Sequence, residues 1–229
     1  MPALVIAGAT GGVGLELARL ERARGRMVVA LARPSSDHAA LNALDALGVS
    51  VFTGDALSRG DVRALFEDEH PDCDVVSTLG GPSADGRRAD DIGNINLIDA
   101  ASAFGLRGRF LLVTSIGCGE MAPFRSERAI AAFGAAVDAK TRAEEHLRRS
   151  GLAWTILRPG GLRSEPATGR GILSTDPEMH GFIHRADVAE LAARILRDGR
   201  TLHGAYAAVD GAEAKSVHPV RPAPLDPLD

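Results

Sequence analysis

The sequence predicts an α/β protein: one domain on a doubly wound parallel sheet with helices on both faces. Three observations predict it. Short apolar runs alternate with helix-length segments along most of the chain. Most of these runs are continuously apolar rather than alternating, as strands covered on both faces are. A glycine-rich turn joins the first run to the first helical segment. With 229 residues, one hydrophobic core suffices without disulfide or metal support.

In chain order, residues 4–9 open as a strand, and 12–24 follow with helical spacing of apolar residues. Strands are expected next at 27–32, 49–53, 75–79, 110–114, 154–157 and 205–209, with helices at about 37–47, 59–69, 90–105, 127–150 and 185–198. In the long helix, Ile130, Phe133, Val137, Lys140, Glu144 and Leu147 recur at three- and four-residue steps, which predicts one inward face. Residues 162–181 are rich in Gly, Pro and Ser and break the alternation, so a flap or small added lobe is expected over about 162–184. Residues 1–210 then form the ordered domain. The Pro-rich remainder, 211–229, with Pro219, Pro222, Pro224 and Pro227, is expected to be a disordered tail.

Composition narrows the partners. Twenty-six basic and 30 acidic residues give a net charge of −4 with no basic stripe, which speaks against nucleic acid. No apolar run reaches the ~18 residues of a membrane span, and no basic leader is evident, so a cytoplasmic protein is expected. Cys73 and Cys118 are too few for a disulfide framework or a cysteine metal site. The core draws on Ala, Val and Leu, for there are only seven Phe, one Trp and one Tyr.

The turn from Gly8 to Gly14 carries the first chemical signal. Gly8, Gly11 and Gly14 are spaced by three, with Thr10, Gly12 and Val13 between them. Glycines there let backbone approach a pyrophosphate, and the following helix offers free N–H groups and a positive dipole end. At the end of the second strand an acidic residue would accept the ribose hydroxyls of NAD. This chain has Arg33-Pro34-Ser35-Ser36 instead, so Arg33, with Ser35 or Ser36, can face a 2′-phosphate, and NADP (NADPH) is the expected cofactor. Asp55, followed by Ala56, either bonds the adenine edge or caps the helix before Ser58.

Together, Gly-Ala-Thr-Gly-Gly-Val-Gly at 8–14, Gly54-Asp55, Val113-Thr114-Ser115, Lys140 with Glu144, Thr155 to Gly161 and Arg185-Ala186-Asp187-Val188-Ala189 resemble the short-chain dehydrogenase/reductase superfamily. The likeness is to its atypical, NmrA-like NAD(P)-binding branch, and extends to flavin and biliverdin-type reductases. It implies a Rossmann-type sheet, Thr78, Leu79 and Gly80 beside the cofactor ribose, and Pro159, Gly160, Gly161 and Leu162 near the nicotinamide. It also implies a substrate-binding hydroxyl at Ser115, although that serine can equally cap a turn. Lys140 would bond the nicotinamide ribose; the alternative is a pair with Glu144 one helical turn away.

One group is missing. Most of the superfamily has a proton-transferring Tyr four residues before the Lys; here that position is Ala136, and the sole tyrosine, Tyr206, lies in the final strand. Three functions remain open. The first is an NADPH-dependent oxidoreductase acting on a small-molecule acceptor, a flavin, quinone or tetrapyrrole, that needs no strong enzymic acid. The second is a non-catalytic NADP-binding redox sensor. The third is a biosynthetic ketoreductase or epimerase whose acid is His184, Cys118 or Glu120. His180 and His184 lack the pairing of a metal site, Asp187 suits a helix N-terminus, and either a monomer or a homodimer is expected.

Overall fold

The computed structural model describes residues 1–228. Its regular elements are β1 (Leu4–Ala7), α1 (Gly12–Ala23), β2 (Val28–Ala32), α2 (His38–Ala46), β3 (Ser50–Thr53), α3 (Arg59–Ala64), β4 (Asp74–Ser77), α4 (Asn94–Phe104), β5 (Arg109–Val113), α5 (Glu127–Arg149), β6 (Ala153–Pro159), β7 (Gly161–Arg163), β8 (Gly171–Ser174), β9 (Phe182–His184), α6 (Arg185–Ile195) and β10 (Ala205–Asp210). The main sheet runs β3-β2-β1-β4-β5-β6-β10-β8. All its pairings are parallel except β10 with β8.

Strand order reverses between β1 and β4, the switch point of a doubly wound sheet. One face is closed by α1, α2 and α6, whose Leu17, Leu44 and Leu191 pack with Leu4 and Ile6. The other is closed by α3, α4 and α5, whose Val62, Leu97 and Leu147 pack with Val5 and Val75. The central strands are therefore covered twice, which explains their unbroken apolar runs. At the edge, β3 is largely exposed instead.

The structure revises several expectations. Asp90 to Gly93 do not begin a regular α-helix; residues 89–93 form a wider π-type turn before α4. Ile130 and Phe133 are 49% and 65% exposed, so the first turns of α5 stand clear of the core, which receives Val137, Ala143 and Leu147. Of the flap or small added lobe expected over about 162–184, no separate lobe forms. The segment is woven in, with β8 joining the main sheet and β7 pairing with β9 in a two-stranded sheet.

The tail is also corrected. It has almost no regular structure, as its prolines require, yet it lies along the body. His180 and Lys215 form a two-way backbone bridge. The Ala223 N–H donates to the Leu173 carbonyl on the otherwise open side of β8. Arg194 donates to the Leu225 and Asp226 carbonyls, each at 2.6 Å. Prolines exclude a helix but not an extended strap.

At the amino ends of the strands, Arg26 is buried and donates to Asp74 and to the Pro2 and Ala3 carbonyls. Glu21, fully buried, lies 3.4 Å from Arg26 and accepts from Arg197 at 2.8 Å. This cluster joins α1, β4 and the turn that follows α6. Removing one member leaves charge buried without its partner, so Arg26→Ala is expected to cost about 3–5 kcal/mol. Urea denaturation reads this as a lower midpoint at unchanged slope; a loss below ~1 kcal/mol would contradict the structural role assigned to the cluster.

Candidate active site

A cleft of about 290 Å³ opens at the carboxyl ends of β1, β2, β3 and β4, beside the switch point. Open α/β sheets place ligands there, because consecutive connections diverge to opposite faces and leave a crevice. Gly8, Thr10, Gly11, Arg33, Asp55, Ala56, Thr78, Leu79 and Gly80 line it together. The sequence also missed lining residues: Leu31, Leu57, Gly81, Pro82, Ser83 and Ala89, and it gave Gly54 no role of its own. Of the two serines after Arg33, Ser36 lines the cleft, and Ser35 does not.

Close packing forms the floor. A β-carbon on Gly14 would run into the Gly8 carbonyl oxygen and meet Thr78 Oγ1 at 2.8 Å. Thr78 Oγ1 lies 3.2 and 3.1 Å from the Ala7 and Gly8 carbonyls and donates to them. Val13 is buried behind the turn, and Gly12 starts α1. That helix has no side-chain cap and no acidic residue in its first turn. A glycine cradle, an uncapped helix end and Arg33 at the rim fit a dinucleotide phosphate chain.

Asp55 does not cap α3. Ser58 does, accepting from the Asp61 N–H at 3.3 Å. Asp55 Oδ1 instead accepts from the Leu57 N–H at 2.9 Å and so fixes the turn that borders the cleft.

Lys140 reaches the cleft wall from α5. Its Nζ donates to the Leu79 carbonyl at 2.9 Å and lies 3.2 Å from Asp90 Oδ1. Asp90, 1% exposed, also accepts from the Gly81 N–H at 2.9 Å and from Arg88. These bonds hold Asp90, in the wide turn before α4, behind the cleft residues Gly80 and Gly81. Gly80 lies between them: an added β-carbon would stand 3.0 Å from Asp90 Oδ1 and 3.1 Å from Nζ. No local pattern in the sequence announced Asp90.

The proposed Lys140–Glu144 pair does not form. Glu144 turns the other way, accepting from Thr114 at 2.7 Å and from two nitrogens of Arg158 at 3.0 and 2.6 Å. Arg158 also grips Glu120 through two bonds of 2.7 and 2.9 Å. Burial by itself would lower the Arg158 pKa, but these carboxylates push it up. The Arg158 hydrogen bonds likewise hold Glu120 below the usual carboxylate range. Glu120 is thus an ionised anchor of the loop after β5, which weakens its reading as an acid.

Ser115 begins that loop. Its carbonyl accepts from the Cys118 N–H, while its hydroxyl has no protein partner among the described residues. Pro159 ends β6, Gly160 abuts Gly181, and Gly161 and Leu162 enter β7. These residues stand at the same sheet edge but do not line the cleft around Gly8 and Arg33. His184 Nδ1 lies 2.7 Å from the Pro166 carbonyl, and His180 Nδ1 lies 3.0 Å from the Glu178 carbonyl. Asp187 does more than complement a helix dipole: it accepts from the Thr168 and Gly169 N–H groups at 2.9 and 2.8 Å. Among the described residues no group of three or more His, Cys, Asp or Glu could hold a metal ion, and no helix is long and apolar enough to cross a membrane.

Residues 8–199 match the NAD(P)H-binding family. The chain belongs to that family. ChuY of Escherichia coli O157:H7, described as an anaerobillin reductase, is 38% identical, with 96% of this chain and 100% of that one covered at a TM-score of 0.83. Sanguinarine reductase of Eschscholzia californica is 34% identical over 114 residues, 48% of this chain and 40% of that protein. The uncharacterized sugar epimerase YhfK of Bacillus subtilis is 35% identical over 119 residues, 52% of each chain. The match thus spans about half or less of the last two proteins. Family, fold and reductase relatives support an NAD(P)-dependent oxidoreductase, and the chain binds NAD(P)H.

Cys118 is buried, and burial first, then the Glu144 charge, pushes its thiol up to about 11. Burial pushes Cys73 up to about 12. A thiol at those values stays protonated near neutrality and reacts slowly. Ellman's reagent at pH 7.5 is therefore expected to label neither cysteine in the native protein and both after denaturation; fast native labelling of Cys118 would return it to the list of reactive groups.

Proposed function

We propose that the chain is an NADPH-dependent oxidoreductase that reduces a conjugated small-molecule acceptor, such as a flavin, quinone or tetrapyrrole, without a tyrosine acid. The observation that carries this reading is the wall beside Lys140. Ala136, one helical turn away, offers no hydroxyl, while Tyr206 enters β10 opposite Leu157, near the amino-terminal end of that strand and away from the carboxyl-end cleft. An acceptor whose reduced form takes its proton from water needs no such group. The names of two relatives, an anaerobillin reductase and a sanguinarine reductase, also favour reduction.

When bound, NADPH supplies the hydride. The chain's residues supply position and charge. Arg33 and Ser36 suit a 2′-phosphate at the cleft rim, a role for which NAD would offer no partner. Lys140, fixed by Leu79 and Asp90, keeps a further N–H that suits a cofactor ribose hydroxyl beside Leu79 and Gly80. Ser115, with its free hydroxyl, suits a polar edge of the acceptor. The segment from Pro159 to Leu162 suits the nicotinamide side.

The test is a binding titration with NADPH and NADH followed by turnover on flavin, quinone and carbonyl acceptors, read at the nicotinamide absorbance band. Reduction of conjugated acceptors but not simple ketones is expected. Tight NADPH binding with no turnover on any acceptor would favour a cofactor-sensing protein, and an absence of binding would sink the proposal. Arg33→Ala is expected to weaken NADPH about tenfold or more while leaving NADH within about twofold; equal losses would remove the 2′-phosphate role. Lys140→Ala is expected to lower turnover about tenfold or more, since one oriented charge-assisted bond is lost, and unchanged turnover would leave Lys140 only its bond to Leu79.

A further inference from the structure

The glycine turn has a cation beside it that the fingerprint does not explain. Arg185 is the first residue of α6, and its side chain crosses to the start of α1. A β-carbon built on Gly12, whose φ is +56°, would lie 3.7 Å from Arg185 Nε and 3.9 Å from its Cδ. Beside it, the space in front of Gly11 is open, with no atom within 4 Å of such a carbon. Arg185 Nη1 donates to Ser164 Oγ at 2.7 Å. Among the described residues no carboxylate pairs with Arg185, although most arginines near the site, including Arg88, Arg142, Arg158 and Arg170, have one.

Electrostatically this is an unbalanced arrangement. The amino end of α1 carries partial positive charge, has no cap and has no acidic side chain in its first turn. A guanidinium against that end adds like charge to like charge. A bridging anion converts this repulsion into attraction on both sides, and the planar fork of Arg suits a phosphate group.

We infer that Arg185 is a ligand of the cofactor's pyrophosphate and that through Ser164 it couples cofactor binding to the flap; this rests on the nucleotide-binding reading given above. The end of β9 and the first turn of α6 hold residues 164–169 at three points. Arg185 bonds Ser164, His184 sits against the Pro166 carbonyl, and Asp187 accepts from Thr168 and Gly169. A pyrophosphate bound between Arg185 and the N–H groups of α1 therefore fixes this part of the flap against the β1–α1 turn. Segments 159–162 and 164–169 are continuous in chain, so an ordered flap also steadies the nicotinamide side of the site.

The experiment is calorimetric titration of the full chain and of Arg185→Ala and Arg185→Lys, with two probes. NADPH carries both the 2′-phosphate and the pyrophosphate; 2′-AMP carries only the first. Arg185→Ala is expected to weaken NADPH about tenfold or more and 2′-AMP less than about twofold, with Arg185→Lys between. Hydrogen exchange gives the second readout: NADPH is expected to protect the 168–170 amides in the parent chain, and Ser164→Ala to reduce that protection at saturating NADPH. Unchanged NADPH affinity in Arg185→Ala, or an equal loss for 2′-AMP, overturns the inference while leaving the nucleotide site standing. Failure of the parent chain to bind NADPH overturns both.

Discussion

The site depends on one close approach of backbone to backbone. The carboxyl end of β1, the first turn of α1 and the end of β4 meet at Gly8, Gly14 and Thr78 with no side chain between them other than the Thr78 hydroxyl. Any β-carbon at Gly14 would push α1 off the strand. Because α1 also packs on α6, such a shift would propagate to the flap held by that helix. The crevice, the exposed N–H groups of α1 and the position of Arg185 all follow from this contact.

Charge is then distributed around that frame in buried groups with defined partners. At the amino ends of the strands, Arg26, Glu21, Asp74 and Arg197 join elements distant in sequence. At the carboxyl ends, Arg158 sits between Glu144 and Glu120 and sets the loop that begins at Ser115. Both clusters satisfy their buried polar atoms, which is the condition for charge in a low-dielectric interior. Lys140 stands apart. It is held by a backbone carbonyl and a single buried carboxylate, behind the cleft residue Leu79.

The loss of the tyrosine has a structural counterpart. The first turns of α5, where the position four before Lys140 falls, are largely exposed, with Phe133 standing free of the core. The helix face that carries Lys140 is thus small and apolar at Ala136 and open above it. An acceptor at this site would meet a wall without a proton donor. The tail is held by backbone pairing and by Arg194, so the proline-rich strap follows the shape of β8 and α6 rather than imposing its own.

The sequence by itself determined the seven main strands, the six helices to within about a turn and a half, their doubly wound order and the phosphate-binding turn, but not β7, β8 and β9. Each of those rests on local periodicity or on glycines a few residues apart, and these properties survive without a fold around them. It also showed the absence of a tyrosine before Lys140, because that is a matter of spacing along one helix. Tertiary structure alone decided the partners of the charged groups. Glu144 chose Arg158 over Lys140, Lys140 chose Asp90, and Ser36 rather than Ser35 took the rim, since each choice depends on which distant strand ends lie within about 3 Å in space. The tail went the same way: its prolines fixed what it could not become, and the open edge of β8 decided where it lies.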